Sequence, residues 1–368
     1  MMDVQLYRIP VNAPQDVSGL VTLLDDGVIR AEEIAAILAQ NEGDGHARGF
    51  TLHVLEEVIA SRTGETPDEV ARRVPMLMIG LAGMGIMVPH LNVFVRREVA
   101  PRPGLGKRLT LGTAVTRVLQ PEEYGTMAML REVARATREA LAQIGAPRRP
   151  DVPLIYVKVP ELTPARIRDA EARGAPLRTR HYRQAAAFNR GAAALGAAVA
   201  LGEFAESQFE DTMLGTRLDI WTRHVSVSSG TENAFCKIVV FANTEQSVST
   251  LVAGNGVMRD AIDLDGVREA FRAVGIPVAD HCCPTPEQME RVAAIFVKAN
   301  GDAVDEVRGY RNAMLSDYLW SFSGMQTKAI AQAVIAAFTG SPLILTASGS
   351  EHQGPPGGNV VTVFARAG

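Results

Sequence analysis

Cysteine is scarce. The 368 residues contain three, Cys236, Cys282 and Cys283. An odd count with an adjacent pair builds no disulfide framework, and no CxxC spacing is present to signal a cysteine zinc site. Aromatic residues make up only 5% of the chain. Charge of one sign never collects: the net charge is −4, without a long block of like residues. That removes the electrostatic reason to expect nucleic acid or an anionic membrane surface as partner. One nearly uncharged stretch, Pro75 to Val95, has the length of a membrane span. It holds two prolines and three glycines, with His90 and Asn92 inside it. It therefore reads as two buried strands joined by a glycine turn. No basic region followed by an apolar run opens the chain, so cytoplasm is the expected compartment.

What is plentiful is alanine and glycine, which suits close packing of helices on sheets. The chain also repeats itself, and repeats are read first. Ser226-Val227-Ser228-Ser229-Gly230-Thr231-Glu232 precedes the strand-like run Cys236 to Phe241. Leu343 to Glu351, containing Ala347-Ser348-Gly349-Ser350, precedes Val360 to Phe364. Pro75 to Gly85, containing Gly80-Leu81-Ala82, precedes Val93-Phe94-Val95. In each case small residues between apolar runs predict a tight turn between buried strands.

The elements before these turns also recur. Val152 to Val159 reads as a buried strand carrying Lys158 near its end, and Ala294 to Ala299 as one carrying Lys298. Alanine-rich helices follow, over Ala185 to Glu203 with Arg190 inside, and over Ala329 to Phe338. In the first third the spacing predicts a helix over Ala31 to Gln40, a polar glycine loop over Asn41 to Gly45, and helices over Thr51 to Ser61 and Thr66 to Arg73. There Gln40 stands where a lysine would be. Further helices are predicted over Asp16 to Leu24, Met127 to Ile144, Asp263 to Ala273 and Pro286 to Ala293. Val4 to Ile9 alternates like a strand. This is α/β alternation. It divides into units at 1–101, 107–245 and 248–368, which pack most simply around a pseudo-threefold axis with the three turns converging on one pocket.

Chemistry enters through Lys158 and Ser228. Serine is a weak nucleophile and needs a base. A free lysine titrates near 10.4 and must fall to about 7–8 to serve, a shift that burial produces. Taken singly, such a lysine ordinarily emerges into solvent, and a turn serine ordinarily satisfies backbone groups. Arg48 and Arg190 would ordinarily be surface charges. The repetition is what raises them above that reading.

The whole chain resembles the cyanuric acid hydrolase and barbiturase family of ring-opening amidohydrolases. The resemblance is carried by Glu351-His352-Gln353-Gly354-Pro355-Pro356-Gly357-Gly358, by Ala192 to Glu203, by Ser228-Ser229-Gly230-Thr231-Glu232, and by Glu42-Gly43 with Arg48-Gly49-Phe50. It implies three similar α/β units around a pseudo-threefold axis, with the active site at the centre where they meet. It also implies hydrolysis of a ring amide. Ser228 would be nucleophile and Lys158 its base. Arg48 and Arg190 would hold ring carbonyls, and the Ser229 and Gly230 backbone an oxyanion. Lys298, Ala347 and Ser348 would form the third station, with Lys328 or Gln326 near the place of its arginine, and Gly80 and Leu81 the first.

The departures from the family pattern point to a substrate with one apolar side, and to cyanuric acid as a poor one. Rival readings are a lactone or lactam opened by the same nucleophile, and a non-catalytic binder of small rings. No cofactor is implied for catalysis. A structural Mg²⁺ or Ca²⁺ is implied at Ser350, Gln353, Gly354, Pro355 and Gly358, with Asn300 where the family has a glutamate. The implied partner is a small cyclic amide, and the implied assembly a homotetramer.

Overall fold

A computed structural model describes residues 1–43, 45–82, 86–101, 106–300, 304–312 and 323–368, with side chains at all of these but 81–82 and 323–325. The first sheet holds β1 (Met2–Pro10), β2 (Ile34–Glu42), β3 (Met76–Ala82) and β4 (His90–Glu98). The second holds β5 (Arg108–Val118), β6 (Leu154–Pro160), β7 (Val225–Gly230) and β8 (Phe235–Thr244). The third holds β9 (Leu251–Met258), β10 (Val292–Ala299), β13 (Ile344–Ala347) and β14 (Asn359–Arg366). A two-residue pair, β11 (Glu306–Val307) with β12 (Tyr310–Arg311), stands apart.

The strand orders are β1-β4-β2-β3, β5-β8-β6-β7 and β9-β14-β10-β13. Each module thus runs first, fourth, second, third, with the last two strands parallel. Parallel neighbours need a crossover. In the first module α2 (Gly45–Thr63) and α3 (Pro67–Arg73) supply it, in the second α5 (Pro164–Ala172) and α6 (Tyr182–Ala200), and in the third α9 (Ser323–Thr339). The first two strands of each module are joined through α1 (Ser18–Asp25), through α4 (Met127–Ala142), and through α7 (Leu264–Ala273) with α8 (Pro286–Glu290). A capping box opens α3, with Thr66 Oγ1 accepting from Glu69 N.

Each sheet buries one face under its own helices, in three separate cores. Glycine sets the spacing in two of them. A Cβ on Gly112 of β5 would sit 2.0 Å from Ala140 O of α4, and one on Gly256 of β9 would sit 2.0 Å from Gly266 O of α7. The other faces of all three sheets meet in a fourth core. At its centre Phe94, Phe241 and Phe364 form a triangle, with ring centroids 4.7, 5.1 and 5.6 Å apart. They occupy the same place in β4, β8 and β14, opposite Ala36, Leu154 and Ala294. The pseudo-threefold axis runs between these rings.

Four expectations need correction. Ala31 to Gln40 is a short 3-10 turn (Ala31–Glu33) followed by β2 and not a helix. Both faces of this strand are buried, so its alanine-rich run lacks the alternation that marks a strand. Ser226 to Gly230 is not a turn but β7 itself, and the chain then crosses β6 to form β8. β3 and β4 are likewise separated by β2, and residues 83–85 of the expected glycine turn lie outside the described residues. The helix expected over Pro286 to Ala293 ends at Glu290, and β10 begins at Val292.

Candidate active site

The ends of the parallel strand pairs converge beside the axis. Register makes Lys158 the direct neighbour of Ser228, Lys298 that of Ala347, and Gln40 that of Ile79. The first-unit counterpart of Ser228 by strand pairing is therefore Ile79, with Gly80 one residue further. An ungapped motif comparison cannot see this, because β2 and β3 change register beyond Gln40. The side chains of Leu81 and Met84 lie outside the described residues.

Each strand-end side chain reaches back into the preceding unit. Lys158 Nζ donates to Met78 O (2.6 Å) of the first unit and to Ser229 O (2.9 Å) of its own. Lys298 Nζ donates to Val227 O of the second unit and to Ser348 O (3.1 Å) of its own. Gln40 accepts from Thr346 N (2.7 Å) of the third unit. The lysines are buried on strands whose other residues are apolar.

A second set of contacts runs the other way around the axis. Arg48, on α2 of the first unit, pairs with Glu232 of the second at 3.3 Å. Arg190, on α6 of the second, pairs with Glu351 of the third through two 2.7 Å contacts. Lys328, on α9 of the third, donates to the Gly80 carbonyl of the first. Met84 stands there in sequence where the other units have a glutamate. Small residues let these cations approach: a Cβ on Gly80 would meet Arg48, one on Gly349 would meet Arg190, and one on Gly230 would meet the Glu232 carboxylate.

Ser228 is buried, and its Oγ shares a 3.1 Å hydrogen bond with Tyr156 OH. Lys158 Nζ lies 3.1 Å from Glu232 Oε1. Burial lowers the Lys158 pKa below the ordinary lysine range, Glu232 opposes the shift, and Arg48 adds to it. Burial works to raise Glu232, yet Lys158 and Arg48 together hold it low. Lys298 falls well below the ordinary range through burial and the nearby Arg190. Lys328 is pushed down to about 7 by burial, Arg48 and Lys158. Ser229 Oγ donates to Glu161 (2.6 Å) and accepts from Arg190 (3.2 Å), so this second serine is a fixed relay between two charges.

The C-terminal loop packs onto this site from the third unit. Gln353 Oε1 accepts from Val227 N, and Gly354 N donates to Thr222 O. Asn300 Nδ2 donates to Pro355 O (2.9 Å), and Gly358 N to the same oxygen (3.0 Å). A cation needs these oxygens free and some negative charge among them. Here Asn300 presents an amide donor to a carbonyl, and Ser350 Oγ is a buried oxygen without a hydrogen-bond partner. Among the described residues no group of three or more His, Cys, Asp and Glu gathers as a metal site. Pro355 O is thus taken by two donors and Asn300 brings no negative charge, which disfavours Mg²⁺ or Ca²⁺ here, while the Ser350 oxygen is left open. His352 accepts from Gly215 N at Nε2 and donates from Nδ1 to Ile220 O, which fixes one neutral tautomer and gives it a structural place.

Sequence reasoning found the lysines, serines and arginines that meet here but missed their partners. Tyr156, Glu161 and Lys237 were not singled out. Lys237, on β8, is the direct strand neighbour of Lys158 on β6; it lies 3.9 Å from Glu56, with its pKa lowered to about 8 mainly by burial. Its signal was a lysine inside an apolar run. Glu232 and Glu351 lay in the quoted motifs, but their pairing across 184 and 161 positions with Arg48 and Arg190 leaves no local trace.

Comparison with known proteins agrees with this architecture. Residues 5–366 match the family described as amidohydrolase ring-opening protein. A cyclic amide hydrolase of Azorhizobium caulinodans is 37% identical, with 100% of each chain covered. A cyanuric acid amidohydrolase of Enterobacter cloacae is 36% identical over 99% of this chain and 100% of its own. A solved cyanuric acid hydrolase, described as an evolutionary innovation by structural concatenation, superposes with a TM-score of 0.92 at 34% identity, covering 100% of both chains. Among the described residues no helix is long and apolar enough to cross a membrane.

Proposed function

This chain belongs to the ring-opening amidohydrolase family, and on that premise we propose that it hydrolyses one ring C–N bond of a cyclic amide, imide or ureide with Ser228 as nucleophile and Lys158 as base. The observation that carries the reading is the direct pairing of a buried, pKa-lowered lysine with a serine on adjacent parallel strands. Such strands run about 4.8 Å apart, and paired residues share a face. Ser228 Oγ adds to the ring carbonyl carbon as its proton passes to Lys158 Nζ. The tetrahedral oxyanion collapses, the ring C–N bond breaks, and the departing nitrogen takes the proton from Lys158. Water, deprotonated by the same amine, then adds to the acyl carbon, and Ser228 Oγ leaves as it takes that proton back from Lys158. The Ser229 and Gly230 backbone serves the oxyanion, where one donor is worth about 2.7–4 kcal/mol.

The ring is asymmetric. The counterparts of Ser228 are Ile79 and Ala347, both apolar and both part of the axial core. A ring carbonyl buried against either goes unpaired, which costs about 1–3 kcal/mol. Cyanuric acid, with three equivalent carbonyls, is thus a poor substrate. The test is mass-spectrometric detection of one added water across cyclic imides, ureides, lactams and lactones. Opening of an asymmetric ring that vanishes in Ser228→Ala supports the reading. Opening that survives in Ser228→Ala rejects it.

A further inference from the structure

The strand pair that carries Lys158 and Ser228 differs from its two counterparts one layer deeper as well. Side chains two residues apart on a strand share a face. Tyr156 therefore lies beneath Lys158, and its strand partner Ser226 beneath Ser228. The same positions hold Leu38 beside Leu77 in the first unit and Phe296 beside Leu345 in the third. Those four are apolar members of the axial core that Tyr156 joins. Tyr156 is 1% exposed, and its hydroxyl meets Ser228 Oγ at 3.1 Å. Packing alone does not call for that oxygen, since Phe296 fills the equivalent place without one. A buried hydroxyl is costly unless it is bonded. Here it stands only in the unit with a serine at the strand end: Phe296 goes with Ala347, and Leu38 with Ile79. Lys158 Nζ, by contrast, spends its contacts on Met78 O, Ser229 O and Glu232. The group that holds the serine oxygen is the phenol.

We infer, resting on the ring-opening reading above, that Tyr156 is a further catalytic group, which donates its phenolic O–H to Ser228 Oγ throughout the reaction. Either oxygen can donate across 3.1 Å, and chemistry selects the direction. A phenol is the more acidic hydroxyl and so the better donor. With the phenol donating, the serine proton stays free for transfer to Lys158. With the serine donating, that proton would be tied to a neutral phenol, which is no base. As Ser228 Oγ gives its proton to Lys158 and adds to the ring carbonyl carbon, the phenol O–H stabilises the charge gathering on Oγ. The same contact eases the departure of Oγ when the acyl–serine bond breaks. Tyr156 keeps its own proton in both steps, because burial pushes its pKa up to about 12.

Tyr156→Phe removes one oxygen and keeps the ring. Rates are read on whichever of barbiturate, hydantoin and glutarimide the wild-type protein opens fastest. Tyr156→Phe should lower kcat about tenfold to a hundredfold, the worth of one hydrogen bond to a charged group, and change KM less than about threefold. The phenol meets the nucleophile and not the ring, so the loss belongs in kcat. Ser226→Ala, at a buried hydroxyl that makes no hydrogen bond among the described residues, is the packing control and should stay within about threefold in both. Fluorotyrosines at position 156 keep both ring and hydroxyl, so they still decide the matter where the phenylalanine protein does not fold. Their kcat should rise with phenol acidity, which a hydroxyl that merely packs would not produce. An unchanged kcat in Tyr156→Phe, a loss carried in KM, a flat fluorotyrosine series, or an equal loss in Ser226→Ala overturns the inference and leaves Ser228 as nucleophile. Opening that survives in Ser228→Ala, or no opening of any of the three rings by the wild-type protein, rejects the ring-opening reading and this inference with it.

Discussion

The first and second units place the same strand pair at the axis and fill it with opposite chemistry. In the second, Lys158 neighbours Ser228 and is backed by Glu232. In the first, Gln40 neighbours Ile79 and spends its carbonyl on Thr346 N. The first unit has neither the lysine nor the glutamate of the second in sequence: Gln40 and Met84 stand at these positions. A buried lysine without a carboxylate, or the reverse, is an unpaired charge, so losing both is less costly than losing either. On the proposed assignment, Gln40 has a structural task where Lys158 has a chemical one. It joins units and no longer carries a proton.

Substitution at the paired positions breaks the comparison most directly. Ser228→Ala or Lys158→Met should lower turnover at least about a thousandfold, the scale seen when a nucleophile or its base is removed. Gln40→Leu should leave turnover within about tenfold but cost about 1–3 kcal/mol in urea unfolding, because Thr346 N loses its acceptor. Equal losses of turnover at Lys158 and Gln40 would remove the distinction between the units.

Next in size is an effect on pH. A base must be neutral, so with Lys158 in the proposed role kcat/KM should rise with pH through the Lys158 pKa, which lies below the ordinary lysine range. Glu232 holds that pKa up, so Glu232→Gln should move the acidic limb to lower pH. An unmoved limb would mean that another group titrates. A smaller change sharpens the contrast with the third unit, which keeps Lys298 but has Ala347 in place of a serine. Ala347→Ser should raise the ratio of cyanuric acid to asymmetric-ring turnover by about threefold to tenfold, the worth of one recovered hydrogen bond. The smallest expected effect is none: with Asn300 in place of a carboxylate at the C-terminal loop, EDTA should shift Tm by less than about 1 °C. A drop of several degrees would restore the cation to the C-terminal loop.

Where an apolar run was interrupted by a charge, a buried lysine of the candidate site was readable in advance. Val152 to Val159 is such a run, and Lys158 stood out within it. The same logic failed for Ala31 to Gln40, because a strand buried on both faces has no period and its alanines suit a helix equally well. Ser226 to Gly230 read as a turn because small residues usually bend. Here they extend, and their smallness admits the Glu232 carboxylate beside Gly230. The Val-Phe pair repeated at Val93-Phe94, Val240-Phe241 and Val363-Phe364 was visible, but its meaning as the axis needed all three sheets in place. The cyclic pairing of Arg48 with Glu232 and Arg190 with Glu351 was beyond reach, since nothing local couples residues in different units.

That cycle has a consequence for how the chain could be rewired. Around the axis no unit comes first, because each holds the next and the third holds the first. Both ends of the chain also lie against one short segment: Met2 N donates to Gln246 O, and Ala367 N donates to Thr250 O. A circular permutant with these ends joined by a short linker, and opened instead between the first and second sheets, should assemble the same three-bladed body. The order in which the units are synthesised is then a matter of the gene alone, and the folded protein keeps no memory of it.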